Sequence, residues 1–172
     1  MSLRQATASD TGSIFGLIRY YADMGILLSR TEEEILEHID HFLVFERRKK
    51  IIGCVALESY GADLAEIRSL AVREEARGQG LGRRLVEFAL AEARRRRIAR
   101  VFAVTHSPGF FVGLGFDQTS RRSLEEKIER DCRTCSRRNT CKLTAVVATT
   151  CTESILLPIM DDVAIAEPVA ET

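Results

Sequence analysis

An excess of charge of either sign is missing from this sequence of 172 residues: Lys and Arg together number 25, and Asp and Glu number 25. That balance argues against a general nucleic-acid binder, which carries a basic excess. No apolar run approaches the roughly 20 residues that a membrane-crossing helix needs. The opening Met1-Ser2-Leu3-Arg4-Gln5 lacks the apolar segment of a secretory signal. A cytoplasmic chain with neither membrane nor nucleic acid as partner is expected. Internal repeats and low-complexity linkers are absent as well. The cysteines are odd in number (Cys54, Cys132, Cys135, Cys141 and Cys151). Without a secretory signal, such a set argues against a disulfide framework. His38, His41 and His106 show no ligand pairing in the sequence.

What is present fits one globular domain with a short appendage, and the apolar share of 45% is ordinary for such a domain. Ile14, Leu17, Ile18 and Tyr21 form a helical stripe, with Asp10 as its cap and Gly25 as its stop. Thr31-Glu32-Glu33-Glu34 reads as a capping box opening a second helix, with Ile35, Ile39 and Phe42 or Leu43 buried. Strands are expected over 42–47, 51–60 and 65–72, the first two joined by a basic turn at Arg48-Lys49-Lys50. A helix follows over 80–97, with Leu81, Leu85, Phe88, Ala89 and Ala93 inward. Arg94 to Arg97 sit at its negative end, where cations are favoured. A short strand over 101–105, a helix opened by Pro108 and a strand from Phe116 complete the pattern. This order implies a mixed sheet with helices on its faces.

Chemistry concentrates at Arg77-Gly78-Gln79-Gly80-Leu81-Gly82. A strand leads into this loop and a long helix leaves it. The first amides of a helix lack internal partners and carry partial positive charge. Glycines leave the backbone open to an approaching phosphate, and Arg77 adds a charged contact. The loop lacks the Gly-Lys-Ser/Thr of nucleotide triphosphate sites, and its glycine spacing is not that of dinucleotide folds. It reads as a cradle for a pyrophosphate.

Arg77-x-x-Gly80-x-Gly82 resembles the pyrophosphate loop of the GNAT acetyltransferase superfamily. Phe110-Phe111-Val112-Gly113-Leu114-Gly115-Phe116 is similar to a later segment of that family. Four further stretches resemble the short, single-domain form of N-acetylglutamate synthase: 24–31, Ile52-Gly53-Cys54-Val55-Ala56-Leu57, Ala65-Glu66-Ile67-Arg68-Ser69-Leu70-Ala71-Val72, and Asp131-Cys132 followed by Cys135 and Cys141. The resemblance implies an α/β (α+β) GNAT fold: a mixed, mostly antiparallel sheet of six or seven strands, splayed at the acetyl-CoA site and flanked by about four helices. It implies acetyl transfer from acetyl-CoA to the α-amine of L-glutamate, with no metal required. The larger relatives carry an arginine-binding, amino-acid-kinase-like domain, for which this sequence has no room. A homodimer is the family-level expectation, with the C-terminal strand region as an interface.

By that resemblance Glu66 is the base that takes the amine proton, and Thr105 is a hydroxyl beside the reaction centre. The Leu70 amide is the oxyanion donor. Ala71 and Val72 lie along the pantetheine arm, Arg77, Gly78, Gln79, Gly80, Leu81 and Gly82 hold the pyrophosphate, and Phe111 lines the cofactor site. Arg30 and Arg68 are the cations for substrate carboxylates. Other readings stay open. Glu66 also fits an exposed strand carboxylate paired with Arg68, Arg30 a solvated arginine at a helix start, and Thr105 a plain strand residue. Leu70 and Val72 are equally expected of a core.

The sequence also departs from the family. Phe111 stands where many members have a tyrosine, and a phenyl ring donates no proton. Ser29 replaces a proline. Leu124-Glu125-Glu126-Lys127 replaces a Leu-Pro-x-Lys stretch and sets two glutamates near the expected anion site. Another small amine, a protein amine, or an acyl-CoA-binding role without turnover are the alternatives. Residues 1–125 are expected to form the acetyltransferase domain, and 126–172 a cysteine-containing extension that completes the sheet or docks on it. Cys132-x-x-Cys135-x5-Cys141 has metal-like spacing at its first step only. A run over 146–150 reads as an edge strand, and 161–172 as a loose or docked terminus.

Overall fold

The computed structural model describes residues 1–150. Cys151 and the expected loose terminus lie outside the described residues. The strands are β1 (Ser2–Gln5), β2 (Phe42–Arg47), β3 (Lys50–Ser59), β4 (Leu64–Val72), β5 (Arg100–Thr105), β6 (Asp117–Thr119) and β7 (Thr144–Thr149). They form one sheet in the order β1-β2-β3-β4-β5-β7-β6. Every neighbouring pair is antiparallel except β4–β5. The helices are α1 (Thr11–Asp23), α2 (Glu32–Glu37), α3 (Leu81–Arg95), α4 (Pro108–Val112) and α5 (Glu125–Lys127). This mixed α/β sheet is the expected GNAT architecture.

Period-two burial divides the sheet into two faces. Leu43 and Phe45 of β2 join Leu81, Leu85, Val86, Ala89 and Ala93 of α3 in one core. Phe42 and Val44 join Ile14, Leu17, Ile18 and Tyr21 of α1 in the other. The stripe on α1 is therefore buried as its spacing predicts. Gly25, at φ 73°, ends the helix. Its amide reaches the Ala22 carbonyl, and the Ile26 amide reaches that of Tyr21, the paired bonds of a Schellman stop. The capping box at α2 is present: Glu34 N–H donates to Thr31 Oγ1, and Thr31 N–H to the Glu34 carboxylate.

Four expectations need correction. Asp10 does not cap α1 with its side chain; its carboxylate accepts instead from Thr7 N–H and from both ends of the Arg4 guanidinium. The run over 146–150 is not an edge strand, because β7 lies between β5 and β6 and uses both edges. The basic turn is a two-residue loop, with Arg48 and Lys49 both at positive φ and Arg47 paired with Lys50. Those dihedrals suit the right-handed twist of a hairpin, and they occur here without the usual Asn or Gly. The α3 helix is shorter at each end than 80–97, because Gly80 caps it in the left-handed region.

The strand before the glycine loop is also irregular. Ser69 sits at φ 51°, and the β3–β4 register shifts between Cys54 and Ala56. Such a bulge breaks the alternation of faces. Ala65 and Ile67 pack with α3, while Glu66 and Arg68 point to the other side. Beyond Ser69 the parity reverses: Leu70 and Val72 join the α3 face, and Ala71 the α1 face. Pairing of β4 with β5 runs only from Leu64/Arg100 to Glu66/Phe102. From Ile67 onward that edge of β4 has no strand beside it among the described residues, so the sheet opens there into a wedge.

Candidate active site

The glycine loop follows the far end of β4, on the open side of the wedge. Gly78 and Gly80 stand at φ 73° and 72°, and a Cβ on either would meet nothing within 4 Å. The backbone face is thus open, and the conformation itself is what favours glycine. The first backbone bond of α3 runs from Arg84 N–H to the Gly80 carbonyl, so the amides of Leu81, Gly82 and Arg83 have no helical acceptor. They line a cleft of about 310 Å³ with Arg77, Gly78 and Phe110. The Arg77 guanidinium lies over the Tyr21 ring at 5.0 Å. Gln79 is held by Arg47, whose Nη2 donates to its Oε1 at 2.7 Å. Open amides, fixed dipole and nearby arginine fit a diphosphate anion.

A second cavity of about 720 Å³ adjoins it, sharing Val72, Arg77, Gly82 and Phe110. Glu66, Arg68, Leu70, Thr105, Phe111 and Arg30 all face this space. Ala71 does not; it is packed into the α1 core. Tyr21 donates its hydroxyl to the Val72 carbonyl at 2.6 Å, so helix α1 fixes the strand end at the junction. Thr105 Oγ1 accepts from Ser107 N–H at 2.9 Å. Phe111 is buried, edge-on to both Phe110 and Phe116.

Glu66 is only 3% exposed, which removes the reading of an exposed strand carboxylate. Its Oε2 accepts from Tyr60 Oη at 2.8 Å and from Lys127 Nζ at 2.8 Å, and Arg68 Nε lies 3.5 Å away. Lys127 also donates to Asp131 at 2.5 Å, and Tyr60 Oη lies 2.5 Å from the same oxygen, its single proton shared between the two carboxylates. Burial alone would raise the Asp131 pKa, but these two hydrogen bonds outweigh it and hold the carboxyl below its ordinary range. Burial and then the charge of Glu66 push the Tyr60 phenol well up, so it stays a donor. Arg30 is no solvated arginine: its side chain is 12% exposed and donates to Glu58 Oε2 at 3.1 Å.

Tyr60 and Glu58 were not anticipated at the site, Asp131 was noted only for the stretch it opens with Cys132, and Lys127 only as part of a departing segment. Sequence reasoning expects Glu125 and Glu126 to add charge near the anion site. Both are exposed instead, and the groups entering the cavity from that stretch are Lys127 and Asp131. Their i, i+4 spacing was the available signal. Cys132, Cys135 and Cys141 are free thiols lining the same cavity.

The sequence profile of the Acetyltransferase (GNAT) family matches residues 6–116. The chain belongs to this family. It is 41% identical over 147 residues to an uncharacterized N-acetyltransferase of Chlorobaculum tepidum, covering 86% of this chain and 95% of that one. It is 37% identical over 135 residues to the amino-acid acetyltransferase of Neisseria meningitidis, covering 77% of this chain and 31% of that one. Among solved structures, N-acetylglutamate synthase from Neisseria gonorrhoeae, complexed with coenzyme A and N-acetyl-glutamate, superimposes with a TM-score of 0.81 at 33% identity. That match covers 88% of this chain and 35% of that one. The chain thus spans about a third of the length of the two Neisseria proteins. No described helix is long and apolar enough to cross a membrane.

Proposed function

We propose that this acetyltransferase moves the acetyl group of acetyl-CoA to the α-amine of L-glutamate, as a cytoplasmic N-acetylglutamate synthase in the first step of arginine biosynthesis. The observation that carries the reading is the joining of three features in one wedge: open amides at the glycine loop, a strand edge over 67–72 unpaired among the described residues, and a buried carboxylate beside half-buried arginines. The likeness to the Neisseria synthase supports the choice of acceptor.

The amides of 81–83 and Arg77 bind the diphosphate of the cosubstrate, and the free edge of β4 aligns its arm. Acetyl-CoA supplies the activated acetyl thioester. Glu66 is anchored through Oε2, while its Oε1 has no protein partner among the described residues. That oxygen is the one that takes a proton from the amine, directly or through water. The Leu70 amide faces the developing oxyanion, and Thr105 lies across the wedge from Glu66. Arg30 and Arg68 orient the acceptor carboxylates, each keeping guanidinium N–H groups that no described residue occupies.

Purified protein mixed with acetyl-CoA and a panel of amino acids, peptides and simple amines tests this by free CoA release. Glutamate is expected to give the largest kcat/KM. Preference for lysine or a peptide overturns the choice of acceptor, and tight acetyl-CoA binding with no acceptor-dependent CoA release overturns catalysis.

A further inference from the structure

Glu58 on β3 lies directly opposite Glu66 on β4 in the strand register, and both are buried, at 7% and 3% exposure. Like charges facing each other across a ladder are destabilising, and two buried carboxylates are more so. Cations from four places resolve the conflict. Glu58 Oε2 accepts from Arg30 Nη2 at 3.1 Å and from Arg68 Nη1 at 3.0 Å, while its Oε1 meets Arg130. Glu66 takes Lys127, with Arg68 beside it, and Asp131 joins Lys127 and Arg68.

Glu58 itself does not face the cavity; Arg30 and Arg68, which it grips, do. Arg30 has Glu58 as its one ion-pair partner among the described residues. Burial and then the neighbouring Arg68 charge both press its pKa downward, so two guanidiniums share a confined space. A shared carboxylate behind them lets both stay, with their remaining N–H groups directed away from it. The cluster then holds four cations (Arg30, Arg68, Lys127, Arg130) against three carboxylates (Glu58, Glu66, Asp131). One positive charge is left over within this cluster, and Arg77, Arg121, Arg137 and Lys142 line the same cavity.

We infer that Glu58 is a positioning residue for the acceptor, holding Arg30 and Arg68 side by side toward a substrate carboxylate. This rests on the proposed reading that the acceptor carries a carboxylate. Without Glu58 the two arginines repel and separate, and only a bound acceptor brings them back together. Affinity for the acceptor is lost while turnover at saturation survives.

Steady-state kinetics of Glu58→Gln, Glu58→Asp, Arg30→Ala and the Arg30→Ala/Glu58→Gln double variant test the inference, with thermal melting of each. Glu58→Gln is expected to raise KM for glutamate by about tenfold or more, the scale of a lost charged hydrogen bond, with kcat and the KM for acetyl-CoA changed by less than about threefold. Glu58→Asp, which restores the charge, is expected to recover most of the loss. In the Arg30→Ala background the Glu58→Gln step should add little, because with one guanidinium gone there is no repulsion between the pair left for Glu58 to offset. A glutamate KM that is unchanged or lower, or a rise shared equally by acetyl-CoA, overturns the role of Glu58 while leaving the acceptor reading intact. A wild-type protein that acetylates only amines without a carboxylate overturns both. Should Glu58→Gln fail to fold, Glu58→Asp decides: a residual rise of about two- to threefold in the glutamate KM with that of acetyl-CoA unchanged supports the role, and no change in either overturns it.

Discussion

Lys127 Nζ lies 2.8 Å from Glu66 Oε2, joining residues 61 positions apart in the chain. The ammonium comes from α5, beyond the segment that carries the family motifs, and it is itself buried. Replacing it by methionine keeps the volume and removes the charge, leaving Glu66 and Asp131 only Arg68, 3.5 Å from each, as a shared cation. Losing one partner of a buried ion pair costs about 3–5 kcal/mol, so Lys127→Met is expected to melt several degrees lower. It should also lower kcat about tenfold or more, because the carboxylate is no longer held in place. Lys127→Arg, which restores the charge, should recover part of the rate. A Lys127→Met enzyme with wild-type kcat and stability would show that the contact has no role.

Glu66→Gln tests the base directly. The amide keeps the shape and still accepts from Tyr60 and Lys127, but it takes no proton. A positioned base contributes about 10²-fold or more, so kcat should fall by that order. Acetyl-CoA affinity, set at the glycine loop, should not change. An unaffected rate removes Glu66 from the chemistry.

Gly82 separates cosubstrate binding from folding. It lies in the first turn of α3, outside the positive-φ region, and an added Cβ would meet Phe110 at an ordinary 3.6 Å. Alanine is therefore tolerated by the fold and favours the helix by up to about 1 kcal/mol. Its methyl, however, stands at an amide that faces the cleft. Gly82→Ala is expected to raise the KM for acetyl-CoA severalfold while its melting temperature holds or rises. Loss of stability together with affinity would contradict the loop's assignment as a binding surface.

The legible parts of this molecule were local. The α1 stripe, the Gly25 stop, the Thr31 box and the glycine loop each lie within a few residues, and each appears where its pattern placed it. The ionic cluster was not local. Glu58, Tyr60, Lys127 and Asp131 meet only because β3, β4 and α5 converge, and nothing near Glu66 in the sequence announces a lysine 61 residues on. The bulge at Ser69 was hidden for a different reason. Eight residues reading Ala-Glu-Ile-Arg-Ser-Leu-Ala-Val look like a regular strand, and the reversal of faces is imposed by where Leu70 and Val72 find apolar partners on α3. The position of β7 likewise depends on both of its neighbours, since a run of Val and Ala suits an edge or a centre equally.

Acid should weaken the fold at a second ion pair far from the cavity. Asp10 accepts two hydrogen bonds from Arg4, at 2.7 and 3.0 Å, and one from Thr7 N–H at 2.8 Å. Arg4, first among the causes, lowers its pKa from 3.8 to about 2. A depressed carboxylate stabilises the fold above its unfolded pKa and loses that contribution as pH falls through the folded value. The window is therefore about pH 4 down to about pH 2, and the amount is about 2 kcal/mol. Glu92, also lowered to about 2, chiefly by its hydrogen bond with Arg95, titrates in the same range, so wild type alone cannot separate the two. Asp10→Asn can. Urea unfolding at pH 7 should show the variant weaker by about 2 kcal/mol, with the gap to wild type narrowing towards zero at pH 2. A gap that stays constant from pH 7 to pH 2 would mean that packing at the start of α1, and not the Arg4 pairing, is what Asp10 supplies.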